Sequence, residues 1–519
     1  MKTTSILAAA LLLCTLDACS RAPLPNVILI TVDTLRADHV GAYGYNEATT
    51  PTIDKLARQG RLFQQATTPF PRTSPAIASL FTGLEPQNHG SREIWQPIIS
   101  GTTLAEHLQV AGYRTIGVSA NPAAGSRQQL HRGFDTFVEA DELPEDSAEH
   151  VTDAALQQVR LVNAEEGGLF LWVHYMDPHF PYDPPSDPAG DPASQPQAPE
   201  CRRLMGEVKA GRLRMGHVEA DLMGASSRAL DDCRKLYDAE IQHTDLHLGR
   251  LLAALQQEGR MDGALVVFTA DHGENLGEDD LFYGHGMSLH DASVLVPLIF
   301  VGADIETGVD ALPIRLEDVA PTLLGLLGQT VEQPMDGLDQ SARLRGRAGA
   351  GSLPVARIES GSALNVSYTK RIFSGRAHSR SCIHSERYSL CAFPGKDAHL
   401  YDHENDPFLE IDVSARFPEQ REQLLLSSRQ WQPEQVRERA VRDGRFKLLE
   451  TPLLAGGFQR RLYDLREDPA ERIDVSTRVP AVFERLSEVM DAWSSKASLT
   501  TPIAAPEDVH TLRSLGYIE

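Results

Sequence analysis

Cysteine is scarce in this chain, six among 519 residues, and no two stand in the Cys-x-x-Cys spacing of a zinc site. Beyond the N-terminus no apolar run reaches the length of about 20 residues that spans a bilayer. A basic surplus is missing as well: 49 Lys and Arg face 72 Asp and Glu, for a formal net charge of -23. A chain without that surplus has no means of releasing the counterions of a polyanion, which excludes nucleic acid as a partner. The negative charge reads as solubility. With 23% charged and 41% hydrophobic residues the composition is that of a soluble globular enzyme. Its length exceeds a single core, so two domains and a leader are expected.

The N-terminus supplies the leader. Lys2 precedes the apolar stretch Ile6 to Leu13, and small residues follow, as in a secretory signal. Leu16-Asp17-Ala18-Cys19 resembles a bacterial lipobox, in which the cysteine becomes the lipidated first residue of the mature chain. Residues 1–18 are therefore expected to be a lipoprotein signal peptide. The mature chain would be exported and held by its N-terminal lipid at the outer membrane, facing periplasm or cell surface; Ser20 after the cysteine fits that address. Cys201, Cys233, Cys382 and Cys391 then remain, an even count in an oxidising compartment, and pairing of neighbours is the simplest connectivity.

From Val27 to about Gly302, short β-rich runs alternate with helical patterns, which predicts an α/β fold with a mainly parallel sheet. Strands are expected over Val27 to Val32, Thr115 to Ser119, Leu169 to Val173, Ala264 to Thr269 and Val294 to Val301. Helices are expected over Thr103 to Ala111 and Leu236 to Leu255. Most of these strands run into polar residues, and in open α/β sheets ligands bind beyond the carboxyl ends of strands. Residues 183–230 read as a surface insertion and 333–352, rich in Gly, Arg and Ser, as a linker. The catalytic domain is thus expected over 25–332 and a smaller α+β domain with antiparallel strands over 353–519. That last region repeats itself: Leu400-Tyr401-Asp402 to Ile411-Asp412-Val413-Ser414 matches Leu462-Tyr463-Asp464 to Ile473-Asp474-Val475-Ser476. Two hairpin-like units in a structural role are expected.

Chemistry-bearing residues concentrate at strand ends. In Thr73-Ser74-Pro75 to Thr82-Gly83, Ser74 suits an N-cap, Pro75 the first helical position and Gly83 the stop. Thr73 would then sit before a positive helix end, where free N–H groups favour an anion. A threonine hydroxyl needs a base or a metal to become a nucleophile. Asp33, Asp271 and His272, each at a strand end, are the candidate ligands. Two carboxylates and an imidazole favour Mn²⁺ or Zn²⁺ and leave Ca²⁺ open. His179, in Asp177-Pro178-His179, and His285, in Gly284-His285-Gly286, are candidates for proton transfer to the leaving group, for contact with a non-bridging oxygen or for a second metal.

In that order these segments resemble the sulfatase family within the alkaline phosphatase superfamily. The matching pieces are Pro25 to Ile30 leading into Asp33-Thr34-Leu35-Arg36, Thr73-x-Pro75 to Leu80-x-Thr82-Gly83, Gly112-Tyr113-Arg114-Thr115, Asp177-Pro178-His179-x-Pro181, and Asp271-His272-Gly273-Glu274. The tail adds Leu462-Tyr463-Asp464 with Asp468-Pro469-x-Glu471, so the likeness runs from about residue 25 to the end. The resemblance implies a large α/β/α sandwich, a smaller C-terminal domain and a metal beneath the nucleophile. It also shows departures. Sulfatases carry Cys or Ser, oxidised to formylglycine, where this chain has Thr73, so no formylglycine is expected. Their motif arginine falls on Ile77, one lysine on Ala120 beside Asn121, and another around His285.

The expectation is a metal-dependent hydrolase of sulfate or phosphate esters with Thr73, His179 and His285 catalytic. Asn121 would contact substrate, and Asp33, Thr73, Asp271 and His272 would hold the metal. Its substrate would be a small-molecule, glycan or lipid ester. A phosphodiesterase or phosphotransferase of the same superfamily is the alternative, since those branches use unmodified threonine. A catalytically silent, metal-binding surface lipoprotein is the other.

Overall fold

The computed structural model describes residues 24–47, 50–145, 147–163, 167–185, 198–209, 227–278, 282–286, 288–331, 333–347, 354–360, 381–384, 388–392, 399–402, 412–422, 437–452 and 458–494. The signal and lipobox at 1–20 lie outside them.

A large mixed sheet organises the first part of the chain. Its strands are β1 (Val27–Val32), β2 (Arg61–Thr67), β3 (Arg114–Ser119), β4 (Thr136–Val138), β5 (Leu169–Tyr175) and β6 (Leu265–Ala270). A small ribbon, β7 (Asn275–Leu276) with β8 (Phe282–Gly284), stands apart, and β9 (Leu295–Val301), β10 (Gly308–Asp310) and β11 (Ile314–Arg315) complete the large sheet. The order is β10-β2-β9-β6-β1-β5-β3-β4, with β11 also on β2. Only β9 breaks the parallel run, pairing antiparallel with both β2 and β6. Every side chain of β1 is buried, as a central parallel strand covered on both faces requires. The fold is an α/β/α sandwich, and the predicted strands appear within about two residues of their expected bounds.

Parallel pairing is what gathers the site. In register, Val32 lies opposite Tyr175 of β5 and Ala270 of β6. The residue after each strand therefore emerges at the same edge, with Asp33 and Asp271 side by side.

Among the helices, α1 (Pro51–Gln59) precedes β2 and α2 (Thr73–Thr82) follows it. All ten residues of α2 are buried, and it stops at Gly83 in the left-handed conformation. The long helix Ser227–Gln257 begins well before the expected Leu236. It is tied to the helix Pro199–Lys209 by the disulfide Cys201–Cys233, the pairing expected for these two cysteines. Within 333–352, the described part folds a short helix, Ser341–Leu344, with Leu344 sealed against the core.

The C-terminal part holds a separate antiparallel sheet. Here β12 (Ala356–Glu359), β16 (Arg439–Arg442), β17 (Phe446–Pro452) and β18 (Phe458–Asp464) pair in that order. A second sheet comprises β13 (Ser381–His384), β14 (Tyr388–Ala392) and β15 (His399–Asp402). The sequence repeat is a structural one. Leu390 faces Leu400 as Leu448 faces Leu462. Val413 N–H donates to Leu400 O at 2.7 Å, and Val475 N–H donates to Leu462 O at 2.8 Å. The second unit leads into the helix Pro480–Ser494, whose Leu486, Met490 and Trp493 cover Val441, Leu448 and Leu462. Backbone register sets Cys382 opposite Cys391.

Candidate active site

Asp33 leaves β1 through a strained turn. Thr34 has φ 54°, a left-handed conformation that a β-branched side chain resists. Three contacts hold it there: its N–H donates to Asp271 Oδ1 at 3.3 Å, Tyr237 Oη donates to its carbonyl at 2.7 Å, and Asp33 N–H donates to Tyr175 O at 2.9 Å. Strain of this kind, costing roughly 1–3 kcal/mol, persists where the surroundings over-determine it and clusters at functional sites. Opposite, Gly273 lets the chain turn behind His272, since a Cβ there would come within 1.9 Å of Ala292 O.

The result is a closed cluster in which Asp33, Asp271 and His272 are all inaccessible to solvent. One ligand atom from each lies within 4.8 Å of the others. Asp33 Oδ1 and Asp271 Oδ2 are buried without a hydrogen-bond partner, and His272 Nε2 stands 3.8 Å and 3.4 Å from them. His272 Nδ1–H donates to Gly273 O at 2.9 Å, so the neutral ring turns the lone pair of Nε2 inward. Burial of unpaired carboxylate oxygens is costly unless a cation compensates them. This donor set fits a divalent cation.

Electrostatics carry the same message. Burial pushes the Asp271 carboxyl well above the usual carboxylate range, and the charge of Asp33 adds to the shift. Burial opposes ionisation of Asp33 too, but His174, His179 and His272 outweigh it and hold that carboxyl low. Burial and the neighbouring His285 push the His272 imidazole well down, leaving it neutral. A neutral ring is the form that ligates a metal.

Thr73 enters from the other side. The helix α2 begins at Thr73 itself, with Arg72 in the capping position, rather than at Pro75 behind a Ser74 cap. Ser74 Oγ instead donates to Ala123 O at 2.7 Å and accepts Trp95 N–H at 3.3 Å, pinning the helix start to two loops. Thr73 Oγ1 lies 3.5 Å from Asp33 Oδ2 and 3.5 Å from His272 Nε2. Asn121 Nδ2 donates to Asp33 Oδ2 and stands 3.4 Å from Thr73 Oγ1. Asn121 Oδ1 accepts Ala123 N–H at 2.7 Å, which fixes the amide's orientation. Asn121 thus contacts a carboxylate and the hydroxyl, beyond the substrate contact expected for it.

The two remaining histidines form an adjoining layer. The His285 ring is centred 4.4 Å from that of His272 and 5.1 Å from that of His179. His179 Nδ1–H donates to Phe180 O at 2.6 Å. His285 Nδ1 faces Glu274 Oε1 at 3.3 Å, and burial raises the Glu274 carboxyl to about 8. All seven expected site residues, from six separate segments, therefore converge.

One buried neighbour was not among them. His174, at 0% exposure, sets Nε2 3.5 Å from Asp33 Oδ2 and has its Nδ1 2.8 Å from Thr31 Oγ1. Trp172 Nε1–H donates to the same hydroxyl at 3.0 Å. The available signal was a polar ring in a strand that is otherwise apolar and fully buried.

Comparison with known proteins agrees with this arrangement. The family described as Sulfatase matches residues 25–329. The chain is 25% identical to the arylsulfatase of Clostridium perfringens over 376 residues, 60% of this chain and 77% of that one. Against the choline-sulfatase of Rhizobium meliloti it is 25% identical over 363 residues, 60% of this chain and 69% of the relative. Among solved structures, a 2-O GAG sulfatase superposes with a TM-score of 0.62, 18% identity and 94% coverage of each chain. The phosphonate monoester hydrolase of Silicibacter pomeroyi gives 0.62 at 21% identity, covering 92% of this chain and 96% of its own. At those identities the two structures speak for the fold.

This sheet, with an Asp-Asp-His cluster at its strand ends, is the alkaline-phosphatase-like fold of sulfatases. The chain belongs to the sulfatase family, and with it to the sulfuric ester hydrolases.

Proposed function

We propose that this protein cleaves sulfate or phosphate esters with Thr73 as an unmodified nucleophile and a divalent cation held by Asp33, Asp271, His272 and Thr73 Oγ1. The observation that carries the reading is the position of Thr73 Oγ1, 3.5 Å from both Asp33 and His272 at the start of α2. Mn²⁺ or Zn²⁺ suits the oxygen and nitrogen donors better than Ca²⁺. Such a cation supplies Lewis-acid stabilisation that favours the threonine alkoxide and the charge on the ester oxygens.

The chain's own groups do the rest. Asn121 and the first turn of α2 orient the Thr73 hydroxyl. The Thr73 hydroxyl releases its proton, and attack at sulfur or phosphorus forms the Thr73 O–S or O–P bond and breaks the bond to the alcohol oxygen; the attacking water of the second step supplies the proton that Oγ1 regains. His179 or His285 gives that oxygen its proton; with Nδ1 of His179 engaged by Phe180 O, Nε2 is the nitrogen that exchanges. Water then attacks the covalent ester, breaks its bond to Thr73 Oγ1 and restores the hydroxyl.

Brief exposure to substrate followed by mass spectrometry tests this. A sulfuryl or phosphoryl adduct on the peptide carrying Thr73 is expected, and undiminished turnover by Thr73→Ala would remove the mechanism. A panel of aryl sulfate, phosphate monoester and phosphodiester distinguishes the chemistries. Phosphoryl transfer is the second reading. It is favoured by the sealing of Ile77 and Ala120, which leaves no cation where the sulfatase motif has arginine and lysine.

The leader supports a location: the mature chain is exported and anchored through lipidated Cys19 at the outer membrane. Cys19→Ser is expected to release the protein from the membrane fraction. Retention there would remove the anchor.

A further inference from the structure

Ile77 and Ala120 are buried in apolar packing, so neither can neutralise an ester's oxygens. The residue directly before the nucleophile can. Arg72 is 9% exposed at the side chain and caps α2. Its Nη1–H donates to Glu93 Oε2 at 2.8 Å. Among the described residues, no hydrogen bond engages its Nε or Nη2.

The guanidinium lies along the segment that carries His285. A Cβ built on Gly286 would come within 2.3 Å of Arg72 Nε and 2.8 Å of its Cγ. Only a residue without a side chain, here with φ +93°, permits that approach. Through His285 the arginine adjoins the reacting groups: the His285 ring is centred 4.4 Å from that of His272, whose Nε2 is 3.5 Å from Thr73 Oγ1.

Glu93 orients the arginine rather than consuming its charge. Its other oxygen, Oε1, accepts from Arg437 Nη2 at 2.6 Å. Arg437 is wholly buried and also donates from Nη1 to Arg92 O at 3.2 Å and Ser360 O at 2.9 Å. Arg72, Arg92 and Arg437 face two carboxylates, Glu93 and Glu359, so a positive charge remains in excess. Trp95 from the same loop grips Ser74 by its N–H. Loop 91–96 thus holds the residues on both sides of Thr73, and Arg437, just before β16, locks that loop from the antiparallel sheet.

We propose that Arg72 is the anion-binding residue of the site, with Nε and Nη2 forming a fork toward two non-bridging oxygens of the ester's tetrahedral head. Glu93 and Arg437 are its positioning residues. The proposal rests on the ester-hydrolase reading above, and planar bidentate recognition of this kind is what arginine does and lysine does not.

Inorganic sulfate is the probe, titrated into the full-length protein and used as an inhibitor. Arg72→Met is expected to weaken sulfate binding about tenfold or more and to raise KM for an aryl sulfate more than it lowers kcat. Arg72→Lys recovers part of the loss. Arg437→Met shifts KM in the same direction by less, and Arg437→Lys restores part of it, a rescue that a purely structural role would not give. Thr73→Ala is read for turnover alone, separately from the sulfate titrations of the Arg72 variants. An active Thr73→Ala would therefore defeat the nucleophile assignment while leaving the Arg72 result standing. Arg72→Met with wild-type sulfate affinity overturns the proposal, as does a wild-type chain that takes up no sulfate at high concentration. If the methionine variant fails to fold, Arg72→Gln, which keeps a donor for Glu93 and loses the charge, gives the same readout.

Discussion

Asp271 in the parallel sheet and Glu359 in the antiparallel one are both sealed from water, yet their carboxyls move in opposite directions. Burial raises Asp271, and the neighbouring Asp33 raises it further. Burial also opposes the charge of Glu359, but Arg92, Arg437 and Arg439 overcome it and hold the carboxyl low. Glu359 accepts from Arg92 Nε at 3.0 Å and Nη2 at 2.5 Å, whereas Asp271 Oδ2 has no partner. Buried charge is thus used in two ways. Where every carboxylate has its arginine, Glu359 with Arg92 fastens the C-terminal sheet to the rest, and Glu450 with Arg439 and Arg460 braces the sheet itself. Where carboxylates face one another and the neutral imidazole of His272, the fold has left room for a cation to arrive.

Substitution should expose that contrast. The largest effect is expected at the proposed nucleophile: Thr73→Ala lowers kcat by roughly 10³-fold or more with thermal stability unchanged, read by steady-state kinetics beside a melt. Next comes Glu359→Gln, which strands buried arginines and should cost about 3–5 kcal/mol in denaturant unfolding. A loss below about 1 kcal/mol would show that this network contributes little. Asp271→Asn should do the reverse. Without metal it relieves an unfavourable buried charge and gains up to about 2 kcal/mol, while saturating Mn²⁺ or Zn²⁺, worth about 2.7 kcal/mol at a hundred times Kd, no longer raises the melting point. An asparagine variant stabilised by metal as strongly as wild type would break the comparison.

A further effect, seen only on varying pH, concerns Glu317, buried near α2 with both carboxylate oxygens lacking a hydrogen bond. Burial raises its carboxyl from 4.5 to about 8, against the pull of Arg315. Between those values the folded chain keeps a proton that the unfolded chain has lost. The contribution of Glu317 to stability therefore falls as pH climbs through that window and is level above it. Glu317→Gln should flatten the fall, measured as unfolding midpoints from pH 5 to 8 on the order of one-unit steps.

Much of this was legible from the chain. The run Val27 to Val32 could only be a covered strand, and its ending in Asp33, like the ending of Leu265–Ala270 in Asp271-His272, marked the candidate ligands. The repeat around Leu400 and Leu462 marked two equivalent hairpins. The start of α2 was misjudged by two residues, because local propensity favours Ser74 as a cap while Ala123 and Trp95 claim its hydroxyl from elsewhere in the chain. Asn121 is expected from the sequence only as a substrate contact, and its approach to Asp33 and Thr73 is a product of the fold. His174 lies just past the expected strand end at Val173, although the strand itself runs on to Tyr175.

What the sequence determined alone is periodic or adjacent: strand and helix content, the residues closing each strand, and the identity of the nucleophile's neighbours. These follow from the alternation and continuity of apolar residues, which act over a few positions. Which partners each polar atom meets was decided only by tertiary structure. Asp33, Thr73, Asn121, Asp271 and His285 come from separate segments, and parallel register brings them together at one sheet edge. The same packing left two carboxylate oxygens facing each other and gave Arg72 a glycine to lie against. Those are distances across the fold, and no local pattern encodes them.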